Sequence, residues 1–418
     1  MKNLRAIILA AGKGTRMKSE TPKVLHKICG KFIVQYVLDM IKSIGSLKTF
    51  VVLGHKINEI KKELPKDAIV VKQSNLSGTA DAVRCVARNF KGYRGDVIVL
   101  CGDAPALRKA TLKKLVSRHK KSNAVCTFLT AFSQDPGGYG RIIRKEDGEV
   151  SAIREDKDAV GFERDIGEIN VGVYCFDSQK LFCALKDIKL NKKKKEYYLT
   201  DLIEVFFEGG LKVETVETED EEEGLGINTK IDLSLANKII RRRILNDFML
   251  QGVTIVDPDT TYIDAGVKIG NNTIIRPCTF IESGVRIGSN CLIGPCARIR
   301  PGTRISNNVE IGNFAEITAS KIGSGVFMKH FSYLGDAIIG KNVNIGAGVV
   351  TANFDGKNKH TTKIADGAFI GSDSILISPV NVGKNAITAA GSVVTKRKTI
   401  PENGIAIGVP ARIIFKKR

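Results

Sequence analysis

Gly12 and Gly14 follow the apolar run Ala6-Ile7-Ile8-Leu9, and Arg16 and Lys23 come soon after. Glycines let a backbone approach an anion closely, and bare N–H groups at a following helix start bind phosphate oxygens. Arg16 and Lys23 add positive charge. The loop has neither the G-x-x-x-x-G-K-[ST] of a P-loop nor the third glycine of the dinucleotide fingerprint. Alone, a G-x-G serves a plain tight turn equally well. Asp103 supplies a second element. It follows the apolar run Val97-Ile98-Val99-Leu100, so it emerges at the carboxyl edge of a strand, where open α/β sheets bind ligands. A carboxylate there, facing a phosphate loop, suits Mg²⁺. His330 is the third element. It lies amid polar residues ahead of the polar stretch Asn353 to Thr362. An imidazole that titrates near neutrality is a suitable general base, and Glu316 is the carboxylate expected to orient and charge-stabilise it. His26, His55, His119 and His360 read as packed or surface residues.

Two kinds of element position these groups. Short branched runs (Ala6 to Leu9, Thr49 to Leu53, Val97 to Leu100) alternate with amphipathic stretches such as Ile33 to Ile44. That is the pattern of a doubly wound α/β domain, expected over residues 1–228. A helical segment, Lys230 to Met249, reads as a linker at 229–250. Isoleucines then recur every six residues from Ile263 to Ile317. Neither 3.5 nor 3.6 divides that interval, so the pattern is a parallel β-helix of hexapeptide repeats rather than a helix or coiled coil. It is expected over 251–418, with coils from about Val253 to Val394. The beat slips by one at Ile322 and again at Ile339, and the stretch Asn353 to Thr362 reads as a loop extruded from one corner.

Composition narrows the partners. No apolar run is long enough for a membrane span. Nine cysteines lack metal spacing, and an odd number cannot all pair; a cytoplasmic location is expected. The net charge is +21. Its runs, Lys192 to Lys195, Arg241 to Arg243 and Lys416-Lys417-Arg418, are not interleaved with aromatics, and tryptophan is absent. Nucleic acid is therefore not the expected partner. A solvated surface and attraction of phosphorylated substrates remain. The acidic run Glu217 to Glu223 reads as solvated.

Leu9-Ala10-Ala11-Gly12-Lys13-Gly14-Thr15-Arg16 followed by Pro22-Lys23 resembles the sugar-1-phosphate nucleotidyltransferases. Further stretches match the bifunctional N-acetylglucosamine-1-phosphate uridylyltransferase/glucosamine-1-phosphate N-acetyltransferase family over nearly the whole chain. They include Gly138-Tyr139-Gly140-Arg141, Glu168-Ile169-Asn170, Glu196 to Asp201, Gly226-Ile227-Asn228, Arg300-Pro301-Gly302, His330 to Asp336 and Asn344 to Gly348. The resemblance implies that Leu9, Ala10, Ala11, Gly12 and Lys23 hold UTP, with Cys101, Gly102 and Asp103. Gln73, Gly78 and Thr79 would read the uracil. Gly140, Glu155 and Asn170 would hold N-acetylglucosamine, and Asp103 and Asn228 would ligate Mg²⁺. In the second half, Arg300, Tyr333 and Asn344 would bind glucosamine-1-phosphate. Ala347, Asn353, Phe354, Ser372 and Ala390 would contact acetyl-CoA, with His330 and Glu316 catalytic.

The family resemblance also implies a left-handed coil and a homotrimer with acetyltransferase sites between subunits. It implies a product, UDP-N-acetylglucosamine, that feeds cell-wall and lipopolysaccharide synthesis. Three departures stand out. Position 318 is Thr where the family has a lysine for the sugar phosphate, with Lys321 and Lys329 as substitutes. The coil between linker and Arg300 is shorter. The tail Ala406 to Arg412 is shorter than the family's usual C-terminal arm, with Arg412 the candidate for the arm's basic residue. These departures leave a second reading: a single-activity nucleotidyltransferase whose coil serves trimer assembly. A non-catalytic regulatory subunit would be expected to lose Arg16, Asp103 or His330, and all three are present.

Overall fold

The computed structural model describes residues 3–191 and 195–414. The basic runs at Lys192–Lys194 and Lys416–Arg418 therefore lie outside the described residues. The chain divides into two compact units, Met1–Ile28 with Phe32–Ile239, and Cys29–Lys31 with Ile240–Arg418. The division falls inside a long helix, Lys230–Leu250.

In the first unit the described residues form one nine-stranded sheet. Its central strands are β1 (Leu4–Leu9), β2 (Lys48–Leu53), β3 (Ile69–Lys72) and β4 (Asp96–Cys101). Strand β1 lies between β2 and β4 and is parallel to both. Beyond β4 come β5 (Cys126–Phe132) and β8 (Glu168–Asp177), with the hairpin β6 (Arg141–Arg144) and β7 (Val150–Arg154) between them in sequence. Strand β8 is antiparallel to both β4 and β5. Strand β9 (Val213–Glu217) closes the edge, parallel to β5. Side chains alternate across β1. Ala6 and Ile8 enter one apolar core and Ile7 the other, so the sheet is covered on both faces, as a doubly wound sheet requires.

The acidic run does not behave as a solvated segment throughout. Glu223 is 2% exposed. Its carboxylate accepts the backbone N–H of Arg108 at 2.9 Å and the hydroxyl of Thr111 at 2.7 Å. It thereby satisfies donors at the start of helix Lys109–Ser122, where a negative charge is favoured. His119 on that helix is buried against Thr127.

The second unit is a left-handed parallel β-helix of three stacked sheets. The first face starts at Thr254–Ile255, the second at Tyr262–Ile263 and the third at Lys268–Ile269. In most of these two-residue strands the first residue points out and the second is buried. Ile275, Ile281, Ile287, Ile293, Ile299 and Ile305 line the core. Each fully buried aliphatic side chain contributes on the order of 1.5–3 kcal/mol. The coils continue past Val394. Ile400 and Ala406 keep the six-residue beat and are buried; the charged run Lys396-Arg397-Lys398 and a small core residue hide that continuation in the sequence. The polar stretch after the strand Val350–Ala352 is an extruded loop that rejoins the third face at Thr362–Ile364.

Candidate active sites

Strand β1 ends at Leu9, and the chain from Ala10 to Thr15 crosses the carboxyl edge of the sheet. There it lines a cleft of about 530 Å³. Lys23, Gln73, Gly78, Thr79, Cys101 and Asp103 line the same cleft. Gly102 backs it, its N–H donating to Leu9 O at 2.9 Å. The sequence reading omits Lys13, Leu76 and Glu196, which also line it. Lys13 is next to the predicted loop; Leu76 and Glu196 arrive from loops that only the tertiary fold brings in.

The charged groups converge at one point. Lys23 is ion-paired to Asp103 and lies 3.3 Å from the side-chain oxygen of Asn228. Arg16 donates to that same oxygen at 2.9 Å. Asn228 is fixed through its backbone N–H to Asp232, and Ile227 N–H donates to Asp103 O. The Cys101 thiol is pushed up to about 12, first by burial and then by Asp103, so it is no thiolate nucleophile near neutral pH.

Gln73 is buried and donates to Asp81 at 2.8 Å and to Gly78 O at 3.1 Å. Gly78 has φ +102°, and a side chain there would meet the backbone of Tyr197. That close approach lets Leu199 N–H donate to the Thr79 hydroxyl at 2.9 Å. Gly140, Glu155 and Asn170 do not line this cleft; Asn170 N–H donates to Gly140 O at 2.8 Å. The Asn170 amide donates to the Tyr174 hydroxyl at 2.6 Å. Glu155 accepts from the Thr200 hydroxyl at 2.8 Å. Burial, with Asp158, Asp156 and Glu196 nearby, raises its carboxyl above the ordinary range.

On the coil, His330 is exposed and has no hydrogen-bond or ion-pair partner among the described residues. Glu316 does not reach it; its carboxylate accepts from Arg300 at 2.7 Å. His330 sits at the corner between the first and second faces. Ala347, Ser372 and Ala390 occupy the same corner in later coils. The ladder is set by Gly348 N–H to Phe331 O, Asp373 N–H to Ala347 O and Gly391 N–H to Ser372 O, each 2.7–2.8 Å.

Of the other predicted residues of the coil, Tyr333 lies beside Arg300, and its hydroxyl and the Asn353 amide meet next to Gly335, whereas Asn344 stands apart. Tyr333 is in register with Glu316 on the second face. Asn344 lies on the first, between Phe327 and Phe369. Asn353 and Phe354 stand at the corner between the second and third faces, where Asn353 donates to Asp336 at 2.5 Å. Thr318 is buried in the wall. Lys329 pairs with Glu310 at 3.1 Å, and Lys321 is an outward residue of the third face.

Residues 6–188 match the MobA-like NTP transferase domain. Residues 284–319 match the bacterial transferase hexapeptide repeats and 361–396 the hexapeptide repeat of succinyl-transferase. Among curated relatives, "Bifunctional protein GlmU" of Shouchella clausii is 42% identical, over 96% of this chain and 95% of its own. The protein of that name from Lactococcus lactis subsp. lactis is 44% identical, over 97% and 95%. That of a Geobacillus species is 43% identical, over 96% and 94%. With both halves matched in order and nearly the full length of each relative covered, the chain belongs to the family of bifunctional GlmU proteins.

Proposed function

We propose that the chain acetylates glucosamine-1-phosphate with acetyl-CoA on the coil. In the cleft it then transfers UMP from UTP to N-acetylglucosamine-1-phosphate, giving UDP-N-acetylglucosamine and pyrophosphate. The observation that carries this reading is the convergence of Arg16, Lys23, Asp103 and Asn228 at a cleft edged by the backbone N–H groups of Ala11 to Gly14. An oxygen of the sugar phosphate attacks the α-phosphorus in line, and the bond to the pyrophosphate oxygen breaks. Positioning and charge neutralisation suffice, with no covalent enzyme intermediate. Arg16 and Lys23 supply positive charge, and the Ala11–Gly14 backbone donates to phosphate oxygens. Gln73 has its N–H groups engaged, so its amide oxygen is left to accept from the base, with Gly78 and Thr79 beside it. Gly140, Glu155 and Asn170 hold the sugar.

The Asp103 and Asn228 oxygens both approach the Lys23 ammonium, so they converge where a cation is accommodated. A carboxylate and an amide oxygen fit Mg²⁺, which takes its remaining ligands from water and substrate phosphates. Bound there, Mg²⁺ would neutralise charge on the triphosphate.

On the coil, His330 takes the proton that the sugar ammonium must lose. The amine then attacks the thioester carbonyl, the C–S bond breaks, and the second amine proton passes to the departing sulfur, releasing CoA as the thiol. Ala347, Ser372 and Ala390 form the corner along which acetyl-CoA lies. Arg300, held by Glu316, binds the sugar phosphate with Tyr333. Asn353 lies with Tyr333, and Phe354 follows it, whereas Asn344 lies on the first face, so it completes the site from a neighbouring chain. Exposed aromatics on the first two faces, Tyr262, Phe280, Phe327 and Phe369, support assembly as a homotrimer. All nine cysteines are free thiols, which supports a reducing, cytoplasmic setting.

Buried Thr318, with Lys329 paired to Glu310, favours a second reading in which only uridylyl transfer persists. Incubation of the pure chain with acetyl-CoA, glucosamine-1-phosphate, UTP and Mg²⁺, with products identified by mass, separates the two. Asp103→Ala is expected to abolish uridylyl transfer and spare acetyl transfer, and His330→Ala to do the reverse. Equal background rates of acetylation in His330→Ala and wild type leave the second reading standing.

A further inference from the structure

The third face of the coil carries cations in register. Lys268, Arg286, Arg304 and Lys321 are the outward residues of four successive strands, directly opposite one another. All four are exposed, and none of their side chains has an ion-pair or hydrogen-bond partner among the described residues. Lys363 rejoins the column after Ile338. Nearby carboxylates are committed elsewhere. Glu282 pairs with Arg298 at 2.8 Å, Asp264 accepts from Ser283, and Asp366 accepts from Lys341 N–H.

Like charges directly opposite on neighbouring strands weaken a sheet. At a spacing of about 4.8 Å, four of them fall within roughly 15 Å. The same column carries uncharged Asn381 and Thr399 later on, so the coil does not demand cations there. The face is also flat. Gly270, Gly288, Ser306, Gly323 and Gly340 run beside the cations, and the glycines pack against the next coil. No aromatic interrupts the column, so it lacks the stacking platforms of a single-stranded nucleic-acid site. Ile338 is the column's one exposed large apolar side chain, and the column lacks the aromatic anchors of a protein interface.

We propose that this face adsorbs the protein, reversibly and by charge, onto a bilayer surface rich in anionic phospholipid. A plane of phosphates lets every cation of a flat face engage at once, and such attraction fades within a Debye length as salt rises. The proposal is independent of the uridylyl-transfer reading, because none of these residues lines the cleft.

The test is sedimentation of the full chain with large vesicles of phosphatidylcholine alone or mixed with phosphatidylglycerol, at low and high salt. Binding is expected only to the mixed vesicles, with release by salt. Each neutralised cation lowers partitioning about fivefold, so Arg286→Gln/Arg304→Gln loses roughly 25-fold. Lys268→Gln/Lys321→Gln, an independent pair, loses as much. Lys42→Gln/Lys121→Gln, an equal charge change in the other unit, binds as wild type. Unchanged melting temperature and uridylyl transfer show that the variants are folded. Equal binding to phosphatidylcholine vesicles, or equal loss in the control pair, overturns the proposal. So does capture only of a single-stranded oligonucleotide through Arg286 and Arg304.

Discussion

Asp201 begins the helix Asp201–Glu208 amid other carboxylates. Burial first, then Glu155 and Glu204, raises its carboxyl from 3.8 to about 6. The folded chain therefore keeps a proton that the unfolded chain releases above 3.8. Stability from this group is full below that value and is lost as the pH rises through about 6. Asp201→Asn removes the titration. Its melting temperature relative to wild type is expected to climb from pH 4 to pH 6 and then level off; parallel curves would show that Asp201 titrates normally. At this scale the sequence is informative where chemistry is local. The glycine loop, Lys23 and Asp103 all line the cleft. It is less informative where partners meet through the fold. Arg300 and Glu316 are sixteen residues apart, close to one three-sided turn of eighteen. That near-match is the available signal for their pairing, and it competes with the expectation that a carboxylate near a histidine serves the histidine. Glu223 caps a helix begun more than a hundred residues earlier, and nothing in an acidic run marks one member for burial.

At the scale of the element, the coil is legible because its period is rigid: one buried aliphatic per six residues sets every strand. What the period leaves open is which glycines serve space and which serve backbone angle. Gly312 follows the buried Ile311, and a side chain on it would run into the backbone of Lys329 in the next coil. Gly284 has φ +82° and open space around it. Equivalent left-handed corners of this coil carry asparagine at Asn272, Asn290, Asn308 and Asn342. Gly312→Ala is therefore expected to destabilise the coil by about 1–3 kcal/mol, the usual range for overpacking. Gly284→Asn should stay within about 1 kcal/mol of wild type, since asparagine tolerates the left-handed region. Thermal melts of the two variants decide it. A larger loss at Gly284 would mean that backbone angle, not inter-coil distance, governs these corners.

For the whole molecule, the sequence separates a nucleotide-handling half from a coiled half. The division itself falls within the helix Lys230–Leu250 rather than at its ends. Faces that close on other copies of the chain are harder to read. The outward residue of each strand is free to vary, and the coil core is satisfied whether that residue is lysine or phenylalanine. The structure sorts them: the third face is basic, while Phe327 and Phe369 stand 44% and 49% exposed on the first, either side of Asn344. Apolar surface of that kind is stabilised by burial against another chain. If the acetyl-transfer site needs Asn344 from one chain and Arg300, Tyr333 and His330 from another, then dissociation must cost one activity and not the other. Phe327→Asp/Phe369→Asp places carboxylates on the contact face without touching the isoleucine core. Light scattering is expected to fall from the mass of three chains to that of one. Acetyl transfer should vanish while uridylyl transfer continues at the wild-type rate, because every residue of the cleft lies in one unit of one chain. A monomer that still acetylates glucosamine-1-phosphate would place the whole second site within a single coil and remove the need for the neighbouring chain.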